Sequence, residues 1–205
     1  MKYRVFAEAQ FDLNFIENYL RHLFGDNYNN LDISYRSVDG YTNLAKSQPL
    51  FQEISDQEGK NILVFDADFV ATGGGLQNRT NYLEEQKQQL SIAFESFLFP
   101  DNQNEGEIEN LLEAIIVENH RNIIECFHGY ENCIRELDKA NNQEHYYTPN
   151  KKAKIYAYVE SLTPPADFEK AIKAKNFFFT DANYWDLNSN SLQQFRNFCV
   201  EQIIL

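Results

Sequence analysis

Asn61-Ile62-Leu63-Val64-Phe65-Asp66-Ala67-Asp68 carries the clearest strand signal in the chain. Ile62 to Phe65 is an unbroken apolar run of β-branched, leucine and aromatic side chains, which predicts a buried strand. The run ends in two carboxylates one residue apart, and Gly73, Gly74 and Gly75 follow. Parallel α/β sheets carry their active groups at the carboxyl ends of strands. Asp66 and Asp68, spaced i and i+2, project from one strand edge if strand geometry continues through them. Oxygen donors of this kind suit hard cations such as Mg²⁺.

On either side of this strand, apolar strand patterns alternate with helical ones. Tyr3, Val5, Phe6 and Ala7 predict a strand ending at Glu8. Phe11, Phe15, Ile16, Tyr19, Leu20, Leu23 and Phe24 predict a helix over 11–24, with Asp12 in its first turn and Gly25 placed to stop it. Leu31, Ile33, Tyr35 and Val38 predict a second strand. A helical stretch then runs to about Gly59, with Pro49 opening its last portion. After the glycines, residues 78–90 are polar and helix-prone, and Phe97-Leu98-Phe99, closed by Pro100, is a further strand. Ile108, Leu111, Leu112, Ile115 and Ile116 mark a helix to about residue 118. Strand-helix alternation of this kind predicts an α/β fold with a mainly parallel sheet and helices on both faces.

The remainder changes character. Ile123, Phe127, Tyr130, Ile134 and Leu137 form a helical stripe over 121–139, and Asn141 to Asn150 reads as a polar loop. A helix follows over 152–162, broken by Pro164-Pro165. Phe177-Phe178-Phe179 reads as a short strand or a core-filling turn, and 190–204 as a last helix. With no repeat and no flexible linker, residues 1–205 read as one domain: a core over 1–119 and a mostly helical extension over 120–205 packed on it.

Hydrophobic residues make up 43% of the 205, enough for a sizeable core. Lys+Arg 18 against Asp+Glu 31 gives a net charge of −13, which argues against a broad basic surface for nucleic acid. A local groove in which metal ions bridge carboxylates to phosphate remains compatible with it. Cys126, Cys133 and Cys199 are too few and too widely spaced for a disulfide framework. Cys126 and Cys133, seven apart on a helix, read as buried small apolar groups, and with His120 and His128 they match no common zinc spacing. With no signal pattern and no apolar run of membrane-spanning length, a cytoplasmic protein with no membrane partner is expected.

Glu8, Asp66 and Asp68 all fall at strand ends. This constellation, Val5-Phe6-Ala7-Glu8-Ala9-Gln10-Phe11-Asp12 with Val64-Phe65-Asp66-Ala67-Asp68, resembles the Toprim domain shared by topoisomerases, primases and OLD-family nucleases. That family has a Glu after its first strand, usually in E-G-x-x-D, and a later D-x-D; here Ala9 stands where the glycine is usual. Phe97-Leu98-Phe99-Pro100-Asp101-Asn102 followed by Gly106-x-x-Glu109 is similar to a group of small Toprim-like proteins. The resemblance covers about residues 3–118, with weaker similarity at Lys152 to Ala157.

The resemblance implies that Glu8, Asp66 and Asp68 hold one or two Mg²⁺ or Mn²⁺ ions for nuclease-like phosphodiester chemistry with a metal-activated water, Glu8 being a catalytic group as well as a ligand. Glu109 would complete a second metal site, with Asp101 a weaker candidate. A basic group should balance the transition-state charge, from Arg79, Lys152 or Lys154. Lys152 and Lys154, two apart, do not share a helix face. Two other readings stand beside this one. A Toprim-like module without catalysis would serve protein interaction or regulation. A haloacid-dehalogenase-type phosphatase would use Asp66-Ala67-Asp68-Phe69-Val70 as its D-x-D-x-[T/V] motif, although that motif normally lies on the first strand. Purely structural roles also account for these residues: a turn or cap for Asp66 and Asp68, a dipole-complementing first turn for Glu107 and Glu109, a helix start for Asp12, and a turn for Gly73 to Gly75.

Overall fold

The computed structural model describes residues 1–140 and 145–204. The predicted sheet is present: β1 (Lys2–Ala7), β2 (Asp32–Ser37), β3 (Lys60–Asp66) and β4 (Glu95–Phe99), all parallel, in the order β2-β1-β3-β4. The deciding stretch is an inner strand, and Ile62 to Phe65 are all buried. Parity along it separates two cores. Ile62 and Val64 join one hydrophobic cluster, and Leu63 and Phe65 join the other.

The second cluster is the smaller. It packs α2 (Gln48–Ser55) and α3 (Leu76–Leu90) on the sheet through Phe51 and Leu83, with Phe6 stacked on Phe51 at 3.9 Å between ring centroids. The first holds α1 (Gln10–Phe24) and α4 (Ile108–Ala114), together with most of the extension: α6 (Lys151–Leu162), α7 (Pro165–Ala174) and α8 (Gln193–Gln202). Phe195 of α8 meets the rings of Phe15, Tyr19, Phe97 and Phe99 at centroid distances between 4.9 and 6.5 Å. The helical extension therefore shares its core with the sheet, through side chains on β4 and α1.

Several boundaries differ from the sequence reading. The connection after Gly40 is a 3₁₀ turn over Tyr41–Ser47 before α2 begins. The α4 helix stops at Ala114, because Ile115-Ile116-Val117 is a β-branched run that favours extended backbone. Ile116 forms a bridge with Trp185, and Asp186 N–H donates to Ile115 O at 2.7 Å. The α6 helix does end at Leu162, before Pro164-Pro165, but Pro165 then opens α7, a helix the sequence reading did not place, in whose first turn a missing N–H costs no hydrogen bond. Phe177 and Phe179 are buried in a core-filling turn. Part of the predicted Asn141–Asn150 loop, residues 141–144, lies outside the described residues.

One packing expectation is overturned. Cys126 and Cys133 are exposed on α5 (Arg121–Ala140), as are Tyr130 and Leu137. The helix presents Ile124, fully buried, to the protein instead, a rotation that its broad apolar stripe did not specify. Among the described residues no helix is long and apolar enough to cross a membrane.

The shared core makes a prediction. Phe195→Ala removes a ring that four others touch and should cost ~3–5 kcal/mol. In urea denaturation, tryptophan fluorescence of Trp185 and far-UV circular dichroism should lose stability together in one transition; a mutant that melts only the extension would contradict this.

Candidate metal centre

β1 and β3 are adjacent in the sheet, so Glu8 and Asp66, just past and at their carboxyl ends, are neighbours. Asp66 N–H donates to Glu8 Oε1 at 3.4 Å, and Tyr41 N–H donates to Glu8 Oε2 at 3.1 Å. Ala9 has φ −136°, an extended conformation open to any residue, so this position does not require the glycine that the Toprim resemblance leads one to expect. Asp12 fulfils its helix-start role, accepting from Ala9 N–H at 2.9 Å. It is also buried, and its charge bears on Asp66.

The carboxylates divide into two groups, one on each side of the sheet. Asp66 continues the face of Ile62 and Val64 and faces α1 and α4. Its Oδ1 accepts Ile108 N–H at 2.8 Å. Asp12 and Glu109 lie on this side, and Lys152 of α6 reaches Glu109 Oε1 at 3.8 Å. Glu109 is 4% exposed, and that oxygen is buried with no hydrogen-bond partner. Burial raises the Asp66 carboxyl well above the usual carboxylate range, and repulsion from Asp12, Glu109 and Glu8 adds to it. Burial likewise raises Asp12 and Glu109, with Lys152 opposing in both. For Lys152 burial favours the neutral amine, but Glu109, Asp12 and Asp66 outweigh it and raise the group.

Asp68 does not follow Asp66. Strand geometry ends at Asp66, and Asp68 has φ +55°, the left-handed region. An antiparallel bridge to Gly106 holds it there, with Asp68 N–H donating to Gly106 O at 2.7 Å. Its side chain is consequently on the α3 side, bound by the Arg79 guanidinium. The expectation that the two aspartates project from one edge fails for this reason. Glu8 is pushed up to about 7, first by burial and then by Asp68, against the two amides and Arg79.

The remaining expected residues separate cleanly. Lys154 is turned away from the cluster, bonding Glu113 Oε2 at 3.0 Å and His128 Nε2 at 2.9 Å. Asp101 is spent in its own turn, accepting from Gln103 and Asn104 N–H. Glu107 faces Lys151 at 3.8 Å. The amides of Gly73, Gly74 and Gly75 all donate to nearby carbonyls, of Val70, Phe69 and Ala67, so the glycine run is a turn with no free cradle for phosphate. Tyr41 is the residue that sequence reasoning missed; it lies in a polar connection with no periodic signal.

Among the described residues, no three His, Cys, Asp or Glu side chains stand in ligating geometry for a metal ion as arranged here. The donor chemistry nevertheless fits a hard divalent cation: clustered carboxylate oxygens, one of them buried and accepting no hydrogen bond. Asp66, Glu109 and Glu8 are the residues that would hold it.

These shifts fix a pH dependence in the absence of divalent ions. Between pH 4.5 and about 7 the unfolded chain loses the Glu8 proton while the folded chain keeps it, so Glu8 makes stability fall as pH rises through that window. Glu8→Gln should flatten the fall by roughly 1–3 kcal/mol, read as the difference between urea midpoints at pH 5 and pH 8 in EDTA. An unchanged pH slope in the variant would contradict the assignment.

In comparisons with known proteins, no curated protein and no solved structure matches the chain. The family described as "Protein of unknown function (DUF3226)" matches residues 2–202, from the first strand to the end of α8, taking in the carboxylate cluster and the helical extension together. The chain belongs to the DUF3226 family.

Proposed function

We propose that this protein is a Mg²⁺- or Mn²⁺-dependent phosphodiester-processing enzyme of nuclease-like, Toprim-like chemistry, with nucleic acid as its substrate. The observation that carries the reading is the buried Glu109 Oε1, which accepts no hydrogen bond and has only the Lys152 ammonium at 3.8 Å to set against Asp66 and Asp12. A protein gains little from burying repelling carboxylates unless a cation offsets them. When bound, a divalent ion supplies the positive charge that polarises a phosphodiester and acidifies a water.

The chain's own residues supply the rest. Asp66 and Glu109 present oxygens from the end of β3 and the first turn of α4. Lys152, raised by its carboxylate neighbours, keeps a positive charge at the edge of the cluster, where phosphate oxygens would meet it. Glu8, poised near neutral pH, is suited to take up or release a proton as well as to donate an oxygen. The D-x-D lies on the third strand of the chain rather than the first, which disfavours the phosphatase reading. One observation favours an interaction module without catalysis: Asp68 is committed to Arg79.

Calorimetric titration with Mg²⁺ and Mn²⁺ should show binding to the wild type, weakened at least about tenfold in Asp66→Asn, since even residues that merely support ligands cost that much in metal sites. Mn²⁺-dependent cleavage of single- or double-stranded DNA or RNA should be lost in the same variant. No metal binding would overturn the reading; binding without cleavage of any nucleic acid would favour the interaction module.

A further inference from the structure

Arg79 is among the buried charged groups, 7% exposed. Its guanidinium carbon lies over the Tyr41 ring, 3.3 Å from the centroid, and the group donates through Nε to Asp68 Oδ2 at 3.1 Å and through Nη2 to the same oxygen. Tyr41 in turn donates its backbone N–H to Glu8 and accepts at its carbonyl from Tyr82 Oη at 3.1 Å. Arg79 and Tyr82, three apart on α3, thus grip the Glu8 and Asp68 side of the site from one helix face. The turn leading into α3 is built around the same aspartate: a Cβ at Gly74 would collide with Asp68 Cβ and lie 2.9 Å from Ala67 O.

We propose that Arg79 is a latch on the metal centre: its guanidinium occupies Asp68 as a resident cation, and leaves it for a phosphate oxygen of the incoming phosphodiester, freeing Asp68 to serve a divalent ion. The inference rests on the metal-binding reading above. A guanidinium and a divalent cation compete for one carboxylate oxygen, so Arg79 weakens metal binding in the resting protein. Arginine binds phosphate as readily as carboxylate, in the same forked geometry, so the transfer exchanges one charge-assisted pair for another. No bond is made or broken covalently. The consequence is a reciprocal coupling: substrate tightens metal, and metal tightens substrate. Arg79 is a positioning residue at rest and a substrate contact once released.

The test is Mn²⁺ binding, followed by calorimetry and by electron paramagnetic resonance of free Mn²⁺, in wild type, Arg79→Met and Asp66→Asn. Methionine keeps an apolar stem on Tyr41. Arg79→Met should bind Mn²⁺ about tenfold tighter than wild type, about 1.4 kcal/mol. A non-cleavable phosphorothioate oligonucleotide should tighten Mn²⁺ binding to the wild type by a larger factor than to Arg79→Met. If Arg79→Met does not fold, Arg79→Lys, which keeps the charge but loses the fork, should show a smaller gain and a reduced oligonucleotide response. Binding to wild type that Asp66→Asn abolishes, with Arg79 variants equal to or weaker than wild type, overturns the latch and leaves the metal centre standing. No binding in any of the proteins overturns both.

Discussion

Repulsion among buried carboxylates is the constraint on which this end of the molecule depends. Asp66 sits at the end of an inner strand, and Asp12, Glu109 and Glu8 all act to keep its proton on. Four groups from β3, α1, α4 and the end of β1 could be placed apart at little cost in a fold with so much surface. They are gathered, with the Glu109 oxygen left without a donor. The local structure holds them there. The Ala9 amide fixes Asp12, the Ile108 amide fixes Asp66, and the Tyr41 and Asp66 amides fix Glu8. Backbone N–H groups are fixed dipoles that favour the ionised form without neutralising it. They soften the repulsion and leave the cluster short of positive charge.

What the sequence made legible follows from the range of the forces involved. β3 was readable because four consecutive apolar residues have no solution except burial. Glu8 and Asp66 could be paired because both end strands of a parallel sheet, where neighbouring carboxyl ends share an edge. Asp68 was misplaced because its direction depends on one dihedral angle, set by a bridge to Gly106 that lies 38 positions away. The choice between Lys152 and Lys154 was open for a similar reason. Both lie on α6, and the rotation of α6 about its axis is set by burying Ile155, Tyr158 and Val159, which the local pattern does not orient relative to α4. Cys126 and Cys133 failed from the same cause on α5. Periodicity gives a helix its stripe; the neighbour decides which edge of the stripe is covered.

Arg79 and Lys152 differ in kind, and the difference ties the site's electrostatics to the architecture. Arg79 is mounted on α3, on the smaller-core side of the sheet, and meets Asp68 through two donors. Lys152 is mounted on α6, on the larger-core side, and stands 3.8 Å from Glu109, beyond hydrogen-bond reach. One is a rigid fork that fixes a geometry; the other is a point charge that lowers a potential. A chain of net charge −13 repels polyanions at long range, so any phosphodiester that approaches this edge depends on charges close at hand. Lys152 belongs to the helical extension, whose core is continuous with β4 and α1 through Phe195. The extension is therefore part of the site in an energetic sense. Without it the sheet would still carry Glu8, Asp66 and Glu109 at its edge, but would lack the lysine whose charge opposes the buried repulsion of Glu109 and Asp12.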